Sequence, residues 1–272
     1  MRKKKSGEII IASVIFIIVI AFFILPDIWM IFASFQKGAT LSTSFITSPT
    51  LENYIKVLPQ IAVPLMNSLY ITLLGTFLCV LVASIASYPL SRYDFKLKDP
   101  IMYGMLFLSV LPITAMMVPT YTMFVVANFI NKRWAIAFFM AATSLPVTIW
   151  IMKNFYDSIP VELEEAAWID GTTRLGSLFK IVMPLSVPGM TVAAVLAFVG
   201  QWGNFYVPFI LLSSNNKMPL AVSIYNFFTS RGLPLYGQLA AYSMLYTVVP
   251  LVLYFMTAKY LTAGLNIGGL KG

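Results

Sequence analysis

Apolar runs of about 20 residues, separated by polar segments, recur along the whole chain. A run of that length, wound as a helix, matches the ~30 Å hydrocarbon core of a bilayer. Six such runs are present, over residues 9–32, 67–87, 101–124, 134–152, 188–212 and 239–261. The first follows Arg2, Lys3, Lys4 and Lys5, as the apolar stretch of a signal peptide would. No small-residue cleavage site follows it, and the run continues past Pro26 to Trp29 and Ile31. It therefore reads as an uncleaved first helix. Pro112, Pro119, Pro188, Pro208 and Pro250 fall in or beside the runs and are candidate kinks.

Composition agrees with the pattern. Of 272 residues, 59% are hydrophobic and 10% charged, against about 45–50% and about 25% in soluble domains. Histidine is absent, which removes His metal sites, His general bases and His triads. Cys79, the single cysteine, lies between Leu78 and Val80 and reads as a packing residue. No GxxxxGK[ST] string and no GxGxxG after a strand is present, so no P-loop nucleotide site is expected. Neither a catalytic nor a metal site is expected in this chain.

The net charge of +8 would suggest nucleic acid in a soluble protein. In a membrane protein it reads as a positive-inside bias. With the N-terminus inside, twelve of the 18 Lys and Arg residues fall on the cytoplasmic side. The outer six are Lys37, Lys56, Lys132, Arg133, Lys217 and Arg231. Lys132 and Arg133, on a short outer loop, run against the trend. The expected fold is an all-α membrane protein, one domain over residues 1–272, with six transmembrane helices and both termini cytoplasmic.

Half of the ten acidic residues crowd into one cytoplasmic segment, at Asp157, Glu162, Glu164, Glu165 and Asp170. This loop, about residues 154–187, is predicted to hold two short helices. Asp157 or Ser158 can cap the first, with Pro160 in its first turn. Early acids suit the positive end of the helix dipole, and Gly171 suits a left-handed stop. The second starts at Thr172 or Thr173, carries an apolar stripe of Leu175, Leu178, Phe179 and Val182, and ends at Pro184. An amphipathic hairpin lying on lipid would carry Lys and Arg on its polar face. An acidic first helix fits a protein partner better, and Ala166 and Ala167 leave a shallow surface for it.

The string Glu165-Ala166-Ala167, three residues, Gly171, nine residues, Ile181, two residues, Pro184 resembles the EAA loop of ABC importer permeases. Met183 stands where that family usually has Leu. Four further strings resemble the carbohydrate-uptake branch, in particular the smaller subunit of maltose-type permeases. They are Leu51-Glu-Asn-Tyr54, Asn67-Ser68, Tyr88-Pro-Leu-Ser-Arg-Tyr-Asp-Phe-Lys96, and the tail Leu261-Thr-Ala-Gly-Leu-Asn-Ile-Gly-Gly-Leu-Lys-Gly272. One departure is Gln201-Trp-Gly-Asn-Phe-Tyr-Val-Pro208, where relatives commonly read Trp-Asn-Glu-Phe. With no acid there, a Glu-dependent contact does not carry over.

The resemblance implies a type I ABC importer permease fold with a cytoplasmic coupling-helix loop, in a prokaryotic plasma membrane. It implies a second homologous permease as heterodimer partner, two ATP-binding subunits, and an extracellular or periplasmic solute-binding protein. ATP and Mg belong on the ATPase partner, and this chain holds no cofactor. The implied ATPase-coupling residues are Glu164, Glu165, Ala166, Ala167, Asp170, Gly171, Ile181 and Pro184, with Glu165 pairing a basic residue of the ATPase. The tail, about residues 262–272, is implied to reach the ATPase pair, with disorder as the alternative. The implied cargo is an oligosaccharide or related glycoside, with a polyol or glycerol phosphate as runner-up.

A sugar path needs amides, hydroxyls and aromatic faces. Candidates are Gln201, Trp202, Asn204, Tyr206, Tyr121, Tyr242 and Tyr246. Polar residues at membrane depth face a cavity or another helix, so interhelical hydrogen bonding is the competing reading for each. An ion-coupled carrier is the rival from another class. It would use buried ionisable groups, and only Asp27 lies within an apolar run.

Overall fold

The computed structural model describes residues 2–43, 45–228 and 234–269. Arg231 and the last three residues of the tail lie outside them. Among the described residues there are helices and two isolated bridges, and no strands. Four helices are long and apolar enough to span a membrane: α1 (Arg2–Phe35), α2 (Glu52–Arg92), α5 (Arg133–Asp157) and α12 (Tyr236–Gly269). Two bent pairs bring the number to six where each pair counts as one span. They are α3 (Lys98–Val110) with α4 (Ile113–Val126), and α9 (Val187–Trp202), which is long enough only together with the end of the preceding loop, Arg174–Leu185.

Two expected spans are broken. The third run turns through 94° between α3 and α4. Leu111 precedes Pro112, and the proline ring drives it out of the helical region to an extended φ −63°, ψ 130°. The fifth run stops at Trp202 and resumes as α10 (Tyr206–Leu211). The Asn204 side chain accepts the Val207 amide at 3.0 Å, so a side-chain cap restarts the helix after the break.

The chain divides into two compact units. The first comprises Met1–Ala62 and Ile224–Val249. There the Asn53 amide donates to the carbonyls of Ser34 and Gln36, and the Tyr54 hydroxyl donates to the Ser34 hydroxyl. The Leu51–Tyr54 string thus caps the carbonyl end of α1. From Ile9 to Asp27 every side chain of α1 is exposed.

The second unit comprises Val63–Ser223 and Pro250–Gly272. One apolar cluster joins α2, α4, α5 and α10 through Ile71, Met117, Phe124, Ile136, Met140 and Leu211. Another joins α2, α3, α5, α9 and the loop through Tyr88, Met102, Met152, Tyr156, Leu178 and Val182. Cys79 is fully buried, as its apolar setting predicts, with its thiol 3.2 Å from the Thr148 hydroxyl. Asn67 and Ser68, the pair expected to open the second span, instead fasten the 213–223 segment. The Asn67 amide donates to the carbonyls of Asn216 and Met218, and Ser68 accepts the Leu220 amide. Arg133 donates to Asn67 and lies over the Tyr70 ring, while Lys217 donates to the Asn131 carbonyl. Of the two cations at odds with the charge bias, Arg133 is thereby satisfied inside the chain.

Candidate functional site

The loop between α5 and α9 is built in three steps. α5 runs to Asp157, so that residue ends a long helix and caps nothing. Its carboxylate accepts from Ser91 and Lys153, each at 2.6 Å. Ser158 donates to Phe155 and likewise caps no following helix. α6 (Glu162–Ile169) begins after Val161, which offers no side-chain cap. Glu162, Glu164 and Glu165 lie in its first turn, where acids suit the positive end of the helix dipole.

Gly171 closes α6 at φ +87°. Its amide bonds to the Trp168 carbonyl, and the Thr172 amide to the Ala167 carbonyl. This pair of bonds is a Schellman motif, which needs the left-handed residue that glycine supplies without a Cβ clash. Thr173 then caps α7 (Arg174–Ser177) by accepting the Gly176 amide. Pro184 does not end the segment. A π-helical turn over Leu178–Val182 leads into α8 (Met183–Leu185). Pro184 has no amide to give its i−4 carbonyl, and the wider turn, with the Met183 amide on the Leu178 carbonyl, accommodates it. The direction changes by 76° at Ser186.

Helical rotation sorts the α6 side chains. Glu162, Glu165, Ala166, Ile169 and Asp170 are exposed, as are Gly171 and Pro184, while Ala167 and Ile181 are half-buried. Glu164 is fully buried, which takes it off any docking face. Its carboxylate accepts the Arg92 Nε at 2.5 Å and the Tyr88 hydroxyl at 2.6 Å. The predicted apolar stripe also divides. Leu178 and Val182 are buried, whereas Leu175 and Phe179 point outward. With Ile169, 88% exposed, they give the loop an open apolar set that the sequence did not single out. An exposed apolar set on a polar loop is a candidate contact surface.

Arg174 is sandwiched between the rings of Trp168 and Tyr93, at 5.1 and 5.4 Å. A hydrogen bond to the Tyr93 hydroxyl raises its already high pKa, so this charge is permanent. Trp168 donates to Ser177 at 2.5 Å, tying α6 to α7. The result is a loop whose two short helices are tied to each other, with acidic and apolar side chains exposed.

The candidate path residues are not gathered in one place. Gln201 and Trp202 are buried inside the second unit. A Cβ on Gly75 of α2 would collide with the Gln201 carboxamide, and Gln201 Nε2 lies 3.5 Å from Ser144. These contacts are interhelical packing. Asn204 caps α10, and Tyr206 is half-buried against the same helices. Tyr121 is largely exposed on α4. In the first unit, Tyr242 is buried with its ring against Phe227, and Tyr246 is half-buried. A cavity of about 450 Å³ lies at the α3–α4 bend, lined by residues including Leu111, Met116, Phe139 and Thr143. None of the candidate path residues lines it.

Residues 75–262 match the family described as "Binding-protein-dependent transport system inner membrane component". The sulfoquinovosyl glycerol transport system permease protein SmoH of Agrobacterium fabrum is 32% identical over 91% of this chain and 88% of its own. The trehalose/maltose transport system permease protein MalG of Thermococcus litoralis is 31% identical over 97% and 96%. A chain of a bacterial ABC transporter involved in alginate import superposes with a TM-score of 0.81, covering 96% of this chain and 98% of that one at 18% identity. The helical fold with its apolar spans, the loop with Glu165 and Ala166 exposed, and these matches agree. The chain belongs to the family of binding-protein-dependent transport system inner membrane components, and is a multi-pass permease subunit of an ABC importer.

Proposed function

We propose that this chain lines one half of the path by which an oligosaccharide or related glycoside is imported, and that ATP is hydrolysed on a partner subunit. The observation that carries the docking part is the exposed face of α6, with Glu165, Ala166 and Ile169 on one side of a helix stopped at both ends. A short helix fixed to its neighbours transmits a push as a rigid body. Glu165 pairs with a basic residue of the ATPase, while Ile169, Leu175 and Phe179 fill its cleft. Glu164 has no part in that contact. The cargo class rests on the relatives, whose names specify a glycosyl glycerol and trehalose or maltose. A second permease completes the path, and a solute-binding protein delivers the cargo from outside. The buried positions of Gln201 and Trp202 favour a lining role for this chain, with the partner permease making the direct sugar contacts.

Glu165→Lys tests the docking role. The variant should insert in the membrane at the parental level, lose the co-purifying ATPase, and abolish uptake. Parental uptake by that variant would refute the contact assigned to Glu165.

A further inference from the structure

Four ion pairs are present among the described residues. Three join residues four apart in sequence, with at least one partner open to solvent. The fourth, Arg92–Glu164, joins the last residue of α2 to α6 across 72 positions of sequence. Its side chains are 8% and 0% exposed.

Each nitrogen of the guanidinium has a separate task. Nε donates to Glu164, Nη1 to the Ser91 hydroxyl at 3.2 Å, and Nη2 to the Ile159 carbonyl at 3.1 Å. The second Glu164 oxygen accepts from Tyr88, whose hydroxyl also lies 3.3 Å from the Arg174 carbonyl. Ser91 extends the network to Asp157 at the end of α5. Three residues of one turn of α2 thus hold the start, middle and far side of the loop.

For stability alone, an apolar pair would serve as well or better, since desolvating two charges offsets most of their attraction. What a buried, fully bonded pair adds is direction: its partners cannot slide past each other without leaving a charge unpaired in a dry site.

We infer that Arg92 is a positioning residue for coupling: with Glu164 and Tyr88 it locks α6 to the end of α2, so that a displacement of the docked loop turns α2 with it. This rests on the reading that the loop docks the ATPase. Without the lock the ATPase still binds and hydrolyses ATP, but its stroke is dissipated in the loop.

The test is the ratio of cargo taken up to ATP hydrolysed, measured on the complete importer in proteoliposomes. Retention of the ATPase during purification is followed in parallel. Arg92→Ala and Glu164→Gln should keep the ATPase and lower the ratio by about tenfold or more, because each leaves a buried charge without its partner. Arg92→Lys, which restores the charge but not the fork of bonds, should recover part of it. Glu165→Lys, by contrast, should lose the ATPase itself. An Arg92→Ala importer that keeps both its ATPase and the parental ratio overturns the lock and leaves the docking reading intact. One that loses its ATPase as Glu165→Lys does overturns the lock too, since the pair would then only shape the docking face. If Arg92→Ala fails to reach the membrane, Tyr88→Phe serves in its place. It keeps both charges, removes one bond to Glu164, and should lower the ratio about two- to fivefold. An unchanged ratio in Tyr88→Phe overturns the proposal.

Discussion

Glu164 and Glu165 are neighbours with opposite fates, and helical geometry explains why. Successive side chains on a helix point about 100° apart, so if one acid faces Arg92 the next faces outward. The sequence marks the acidic cluster and the Glu-Ala-Ala string. It does not say which acid is inside, because that depends on an arginine 72 positions upstream. The cost of exchanging them is large. Removing one partner of a buried pair costs about 3–5 kcal/mol, whereas an exposed acid such as Glu165 contributes to stability within about 1 kcal/mol. Gly171 was legible, because the left-handed stop is written in the residue itself. At φ +87° a β-branched side chain is strained, so Gly171→Val should cost about 1–3 kcal/mol locally. Hydrogen exchange of the α6 amides should then speed up, and unchanged exchange would argue against the Schellman stop. Ile169 shows the converse. Being 88% exposed, it should change stability by less than about 0.5 kcal/mol on truncation to Ala. As an apolar anchor in a cleft it should still weaken ATPase retention about tenfold. Equal retention of Ile169→Ala and the parent would remove Ile169 from the docking surface.

Run length predicts the elements, and all six runs are helical, the third broken between α3 and α4 and the fifth between α9 and α10. The breaks were harder, because proline alone does not locate them. Pro26, Pro119, Pro146 and Pro250 sit inside continuous helices, whereas Leu111–Pro112 turns the chain through 94°. In lipid a helix tolerates proline when neighbouring groups satisfy the freed carbonyl, so the outcome depends on what packs nearby and not on the residue. The same holds for polar residues at membrane depth. Gln201 reads equally well as a sugar contact or as an interhelical bond, and its position against Gly75 and Ser144 is set by how α2, α5 and α9 pack. Gly75 is the element-scale test. Gly75→Leu would drive a side chain into the Gln201 carboxamide and the Ala137 carbonyl, and overpacking of this kind costs about 1–3 kcal/mol. The thermal unfolding midpoint in detergent should fall. If it is unchanged, the close approach of α2 to α9 at this point is wrong.

At the scale of the whole molecule, charge is sparse and local. Only 10% of residues are charged, and the acids concentrate on a loop whose outer face is built for contact. In the proposed function a push on α6 becomes a movement of membrane helices, and the energy comes from a partner subunit. The most direct measurement is uptake into proteoliposomes holding this chain with its co-purified subunits, loaded in turn with ATP and with imposed proton or sodium gradients. The account predicts glycoside uptake that requires ATP, persists after the gradients are collapsed, and disappears in Glu165→Lys. Uptake driven by an ion gradient in the absence of ATP, unaffected by Glu165→Lys, would contradict it.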